Sequence, residues 1–519
     1  VTGVTSCLHF EAYVERNTLH EQRPPANDAS DDAFLSLPIE PLTDPSPASP
    51  LTGRDYESAI LASDSVYPRP PTSTSALWTV GTLTYTTGGL VVLFLLLLGG
   101  DFAYSIRERS IGPVVQLMLT RLHASDTLLA FLFTTLPTSL SLVISPAVSY
   151  RSDRFRSRWG RRIPFLLIPT PVAAAAIIGI AYTDDFGRGL QHLLRWPDSS
   201  QQHCALICFA ILWTIFEVAA IVAGSVLGGL INDVVPRAVM GRFYGMFRQV
   251  SLGAGIIVNY WIIGQAETHY RAIFIGTGVL FFAGFMLMCL TVREGEYPPP
   301  VHAGATAMHT WDATKQYFRE CFQLSYYRWL FVGLTLAGAT FVPVNLFALL
   351  FSQQLKVSTQ TYGHILAYSY IVSFLMASPL GWLVDRVHAL RATIAMVALY
   401  AISMISLWPM IHSALTFEIA LTLHTVIAGL FFTASAPLGQ SLFPRLAFAQ
   451  YSSAAGIVAS LFTIAFGPAL GQLMDRTDHN YRLTFLVAGT LGLAAVTTLA
   501  LVHRDFKRLG GPAAYTPPA

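Results

Sequence analysis

From about residue 86 to about residue 505 the chain alternates between long apolar runs and short polar turns. Each run holds about 20 residues or more, enough at 1.5 Å per residue to cross a hydrocarbon layer about 30 Å thick. The runs fall at approximately 88–121, 126–149, 163–183, 204–229, 240–265, 270–292, 328–353, 360–384, 391–412, 416–441, 449–472 and 482–503. This predicts an all-α membrane protein with twelve transmembrane helices. Ahead of the runs, Val1–Ser75 is polar and rich in Pro, Asp and Glu. Such a segment cannot bury enough apolar surface to fold alone, so residues 1–75 are expected to form a disordered cytoplasmic tail.

The turns set the expected sidedness. Between the second and third runs lies SDRFRSRWGRRIPF, Ser152–Phe165, in which five arginines share a tight turn with Asp153. Short cationic loops stay on the cytoplasmic side of a bilayer. An even number of spans puts both termini on that side. The turn after the eighth run (Asp385, Arg386, Arg391) and the end of the chain (Arg504, Lys507, Arg508) follow the same bias. A polar stretch at 293–327 separates two sets of six runs, and its Trp311–Phe322 part has the pattern of an amphipathic surface helix.

The two sets resemble each other. Pro236-Arg237 and Pro444-Arg445 open equivalent turns, and Gly264-Gln265 and Gly471-Gln472 close equivalent spans. Tyr270-Arg271, Phe274 and Gly278 recur with the same spacing as Tyr481-Arg482, Phe485 and Gly489. Gly381-Trp-Leu-Val-Asp385-Arg386 echoes Ser149–Arg154. The expected organisation is therefore a six-helix bundle at 76–292, a central cytoplasmic loop at 293–327, a second bundle at 328–503 and a cytoplasmic tail at 504–519. A duplicated unit of this kind places a binding site between the halves near the bilayer midplane.

Composition agrees: 53% of the 519 residues are hydrophobic and 12% charged, about half the charged share of a soluble domain. The net charge of +2 says nothing about partners, and no nucleic-acid partner is expected. Cys204 and Cys208 are one helical turn apart, but two ligands do not close a metal site, so neither metal nor cofactor is expected. No nucleotide loop, HExxH or GxSxG in a suitable context is present, so an enzyme is not expected.

A charged side chain at the bilayer centre costs roughly 2.5–3.5 kcal/mol on insertion scales, so each one inside a run is a candidate site. Glu217, at the centre of its run, is the leading proton-coupling residue. Asp101, Ser105 and Glu108 fall on one face of the first span, and the two acids are further proton-coupling candidates. Arg107 and Arg109 are close in sequence but project from other faces; Arg107 is a candidate for substrate. Arg248 has a forked guanidinium suited to vicinal hydroxyls, or to an ion pair with Glu217 or the acids of the first span. Gln116, Asn259 and Asn345 offer donor and acceptor together, as a sugar hydroxyl requires. His424 lies within one residue of the repeat position of Glu217, where it can bind hydroxyls, relay a proton or serve as a packed core histidine. Asp153, Arg154, Arg158, Gly160, Arg161 and Arg162, with Gly381, Asp385 and Arg386, are a candidate cytoplasmic gate that grips lipid or the opposing half.

At these residues the chain resembles the plant sucrose/proton symporters and their animal sugar-transporter relatives. These are glycoside–pentoside–hexuronide cation symporters of the major facilitator superfamily. The likeness covers about residues 85–505 and is strongest in SDRxxSRxGRRxPF, with Ile163 where the family usually has a third arginine and Ser149 for a glycine. Gly99, Phe102, Tyr104, Pro113, Val115, Gln116 and Leu117 fit the family's first helix, and Asp101 stands where animal relatives are acidic. Glu217 lies sixteen residues before Asp233, the spacing of the family's coupling carboxylate. Gly228 replaces a sugar-contacting arginine of plant members, which leaves the sugar itself open. The resemblance implies a multi-pass protein, expected in the plasma membrane, that carries a sugar or glycoside with a proton by alternating access. Two other classes fit the same pattern: a sodium-coupled or facilitative carrier of another small polar solute, and a non-transporting membrane sensor.

Overall fold

The structure, a computed structural model, describes residues 78–197, 200–296, 310–444 and 447–518, with the side chains of 310–314, 378, 385 and 513 outside the description. The tail expected at 1–75 lies outside the described residues. A short hairpin comes first, β1 (Trp78–Val80) and β2 (Leu83–Tyr85). The first six long helices are α1 (Thr87–Arg121), α2 (Asp126–Arg154), α3 (Ile163–Ile180), α5 (Gln201–Val234), α6 (Met240–Ile257, continued by two tighter or looser turns to Gln265) and α7 (Tyr270–Thr291). The second six are α9 (Ser325–Gln354), α10 (Thr359–Val387), α11 (Ala389–Met410), α12 (Ala414–Leu442), α13 (Phe448–Arg476) and α14 (Leu483–Arg508). Short helices α4 (Thr183–Leu194), α8 (Thr310–Phe322) and α15 (Gly511–Ala514) are also present among the described residues.

Ten of the twelve long helices are long and apolar enough to cross a membrane. The other two, α6 and α10, carry Arg242, Arg248, His364 and Arg386 among their apolar residues. Hydroxyl side chains begin several helices where backbone N–H groups lack partners: Thr86 caps α1, Ser125 caps α2, Ser358 caps α10, and Ser413 with Thr416 forms a capping box on α12.

The helices pack as two sets. In the first, α1 lies on α6 and α7, and α5 on α2 and α3. In the second, α14 lies on α9 and α11, and α12 on α10 and α11. Between the sets α1 touches α9, and they meet chiefly along two pairs, α2 with α13 and α6 with α10. Both helices contributed by the first set have a π-helical turn at the meeting point, Phe131–Thr135 in α2 and Val258–Ile262 in α6. Such turns release a backbone carbonyl and recur at functional contacts.

Four features differ from the sequence expectation. The third span ends at Ile180, because Thr183–Leu194 forms an amphipathic helix of its own, packed on α5. The seventh is broken at Thr340–Phe341, where Pro343 starts a second segment. The hairpin before α1 was not foreseen; Thr82 Oγ1 ties it to the N–H of Glu296 at 2.8 Å. The C-terminal tail packs back on the second set: Tyr515 Oη donates to the Leu442 carbonyl at 2.8 Å, and Tyr327 Oη to that of Pro518 at 2.9 Å. The helix expected within 311–322 is present as α8.

The two ends of the molecule differ. At the end opposite the arginine-rich turn, called here the far end, the sets are in close contact. Gly471 of α13 lies against the backbone of Asp126 and Thr127, and Gly363 of α10 against that of Asn259; a Cβ at either glycine would collide. Thr135 Oγ1 bonds the Ile464 carbonyl at 2.9 Å, and Thr359 bonds Glu267. At the arginine end the last turns of α2 and α10 carry exposed Tyr150 and Trp382.

Candidate functional site

Glu217 sits at the middle of α5, about 24 Å from each end by the helical rise. It is 8% exposed, and Arg107 of α1 is a cation that acts on its carboxyl. The Arg107 guanidinium, on a residue 5% exposed, lies 4.3 Å from the ring centre of Tyr104 and 5.3 Å from those of Phe216 and Phe281. Three aromatic faces thus replace the water that a cation would otherwise keep. Arg107 was expected to project away from the carboxylates. The carboxylate it acts on is Glu217, brought to it by α5.

Arg107 Nε and Asp101 Oδ2 are buried without a hydrogen-bond partner among the described residues. Buried polar atoms are normally paired, so these two stand ready for a ligand's donors and acceptors. Asp101 is 4% exposed and interacts electrostatically with Glu108 and Arg109. Ser105 is buried beside it, whereas Glu108 is exposed. Gln116 is buried farther along α1.

The second set contributes a chain of three polar groups. Tyr400 Oη lies 2.7 Å from His424 Nδ1, and His424 Nε2 lies 2.9 Å from Asn345 Oδ1. A neutral imidazole protonated on Nε2 satisfies both contacts. The structure therefore joins two predicted residues, His424 and Asn345, through helices α12 and α9, and adds Tyr400 from α11. Asn259 donates Nδ2 to the Gly255 carbonyl at 2.7 Å, inside its own helix. Arg248 is exposed and forms neither of the ion pairs weighed for it among the described residues.

Arg109 makes a contact that the sequence did not reveal. Its guanidinium lies over the Tyr370 ring at 4.8 Å and bonds the phenol oxygen. Arg109 is on α1 and Tyr370 on α10, so this pair bridges the two sets near mid-depth.

The arginine turn is fastened within its own half. Arg161 grips Asp233 of α5 through Nε at 3.0 Å and Nη2 at 2.7 Å. Arg162 bonds Asp233 at 2.6 Å and Asp153 at 3.0 Å. Glu294, just past α7, accepts the backbone N–H groups of Arg161, Arg162 and Ile163 at 2.6–2.9 Å and so caps α3. Gly160, at φ +106°, lies against that carboxylate, where a Cβ would strike it. Arg154 stacks on Tyr150 at 3.5 Å, Arg158 lies 5.8 Å from the Trp159 ring centre, and Arg386 stacks on Trp382 at 3.7 Å. Gly381 has open space where a Cβ would stand, and the Asp385 side chain lies outside the described residues. Grip on lipid or on the opposing half was expected of this motif. The ion pairs described above join Arg161 and Arg162 to Asp233 and Asp153 of the first set.

Two bundles of six that meet chiefly on four helices, with buried ionisable groups at mid-depth, are the architecture of a solute carrier. Residues 120–447, well over half of the chain, match the family described as MFS/sugar transport protein.

The chain belongs to this family.

Solved structures with the same fold include a bacterial homologue of the iron transporter ferroportin in an inward-facing state, at TM-score 0.60 and 14% identity over 80% of this chain and 99% of that one. A D-xylose-proton symporter matches at TM-score 0.55 and 15% identity, over 79% and 96%. The nucleoside transporter NupG matches at TM-score 0.56 and 11% identity, over 79% and 98%. These likenesses show the fold. This MFS/sugar transport protein is thus an all-α, multi-pass membrane transporter of a small-molecule solute, not an enzyme. Its family agrees with the superfamily that the sequence resemblance implied.

Proposed function

We propose that this MFS/sugar transport protein carries a sugar or glycoside together with a proton, by alternating access, with Glu217 as the proton-coupling residue. The observation that carries the reading is the buried pair of Glu217 and Arg107 at mid-depth, ringed by Tyr104, Phe216 and Phe281. A carboxyl that exchanges its proton changes how firmly Arg107 is held, and so whether the guanidinium is free for hydroxyls of the substrate. Asp101, with its unpartnered Oδ2, and Arg107 are the groups of the first set that would meet the sugar. The His424–Asn345–Tyr400 chain is the matching polar element of the second set.

The arginine-rich turn is assigned to the cytoplasmic side by its charge, with both termini on that side. The contact of the sets at the far end then makes this the inward-facing state.

Glu217→Gln keeps shape and hydrogen bonding but cannot release a proton. In vesicles the variant should retain counterflow exchange of labelled glycosides and lose accumulation driven by a pH gradient. Wild-type accumulation by the variant would place the coupling proton elsewhere, with Asp101 and Glu108 next. Accumulation by wild type under a sodium gradient and not a pH gradient would replace proton with sodium.

A further inference from the structure

At the far end the tip of α2 is held by the opposite half through five hydrogen bonds. Asp475, in the last turn of α13, accepts the N–H of Asp126 at 2.8 Å, the N–H of Thr127 at 3.0 Å and the Thr127 hydroxyl at 2.6 Å. It thereby caps a helix of the other set, placing a carboxylate on the positive end of the helix dipole. In return Asp126 accepts Tyr481 Oη at 3.0 Å and lies 2.7 Å from His479 Nδ1. Asp126 is 3% exposed, whereas the His479 side chain is 51% exposed and open to solution at this end.

The chain after α13 is bent to make this contact. Asp478 and His479 both adopt left-handed conformations, φ +50° and +58°, which non-glycine residues rarely hold. Gln354 Nε2 pins the His479 carbonyl at 2.9 Å, so the imidazole is aimed from both sides. The titratable groups facing it are Asp126 from α2 and Asp475, Asp478 and Tyr481 from its own arm.

We propose that His479 is a second proton-binding site, separate from Glu217, and that its protonation latches the far end shut. The imidazolium neutralises a nearly buried Asp126 carboxylate across the joint between the halves. The hydrogen bond it donates to Asp126 holds the imidazole above its ordinary titration range. A group raised in this way stabilises the latched state fully below its unlatched value of about 6.5. That stabilisation is lost as pH rises through the latched value. At lower pH, protonation of Asp126 or Asp475 removes the acceptors, so the latch is firmest at mildly acidic pH. Acid on the far side therefore favours closure there, whichever solute is carried.

The test is hydrogen exchange on the full chain in lipid nanodiscs, corrected for the intrinsic pH dependence of amide exchange. Two sets of amides report the joint: those of Asp126 and Thr127, and those of Thr359–Gly363 on the second crossing pair. In wild type, protection at both should fall between about pH 6 and pH 8, by up to roughly tenfold per pH unit. His479→Gln should flatten the profile, and His479→Lys should keep both sets protected across the range. Whatever Glu217→Gln does to the level of protection, the pH response should still be lost when His479→Gln is added to it. A flat wild-type profile, or a pH response that survives His479→Gln, overturns the proposal. So does a response confined to Asp126 and Thr127, which would mean a local cap with no hold on the gate.

Discussion

Arg107 and Glu217 show how a membrane protein keeps charge at mid-depth. Neither is left in hydrocarbon alone: each acts on the other, and three rings surround the guanidinium. His424 follows another rule, that of a neutral ring whose two nitrogens are both satisfied. Tyr400 Oη is the donor to Nδ1, and the imidazole is 1% exposed. Tyr400→Phe leaves Nδ1 as a buried acceptor without a donor, at a cost of about 1–3 kcal/mol. The variant should melt at lower temperature. Its glycoside affinity should fall about tenfold, as measured by equilibrium binding beside thermal unfolding; affinity within about twofold of wild type would make the His424–Asn345–Tyr400 chain structural only. Glu217, Asp101, His424 and Asn345 were legible in the sequence because each interrupts an apolar run. Which groups pair across the fold was not. Tyr370 is 261 residues from Arg109, and Glu294 is 131 residues from Ile163, so only the packed helices bring them together.

Helix joints explain the internal repeat. Gly264 and Gly471 stood out as matching ends of two spans, and the structure gives both the same task. Gly264 meets Gln360 of α10, and Gly471 meets Asp126 and Thr127 of α2, each across the joint between the sets. The sequence showed the recurrence but not its reason, since a missing side chain acquires meaning only from what occupies its space. The repeated tyrosines diverge instead: Tyr481 reaches across to Asp126, while Tyr270 reaches Asp184 within its own set at 3.4 Å. The π-helical turns had no sequence signal, because a carbonyl shift of one residue leaves apolarity unchanged. Gly471→Leu should hold the far ends apart without disturbing either bundle's own packing. We expect a folded protein whose transport rate falls at least about tenfold, equivalent to roughly 1.4 kcal/mol in the closing step. Initial uptake rate and thermal unfolding, measured together, check both halves of that statement. A wild-type rate would mean that this contact is not made during the cycle.

Two rigid halves exchange access by moving as units, and each unit must be stiff at the end that opens. The arginine cluster supplies that stiffness in the first half: Arg161 and Arg162 bind Asp233 of α5, Arg162 binds Asp153 of α2, and Glu294 caps α3. Arg154 and Arg158, stacked on or near their neighbouring rings, remain at the turn's surface when this end of the molecule is open. Closing the end brings α2 toward α13, so the position of the turn decides whether the two surfaces fit. Asp233 is sixteen residues from Glu217, about 24 Å along α5, well beyond a Debye length of about 8 Å at physiological salt. Arg161→Gln removes the bidentate hold on Asp233 but leaves its bond to Arg162. It should slow uptake about tenfold or more and leave equilibrium affinity for the substrate within about twofold, because it changes the balance of states without touching the mid-depth pair. Binding by calorimetry and uptake into vesicles, on the same preparation, separate the two effects. Loss of binding in protein that still unfolds cooperatively would instead make the cluster part of the substrate site.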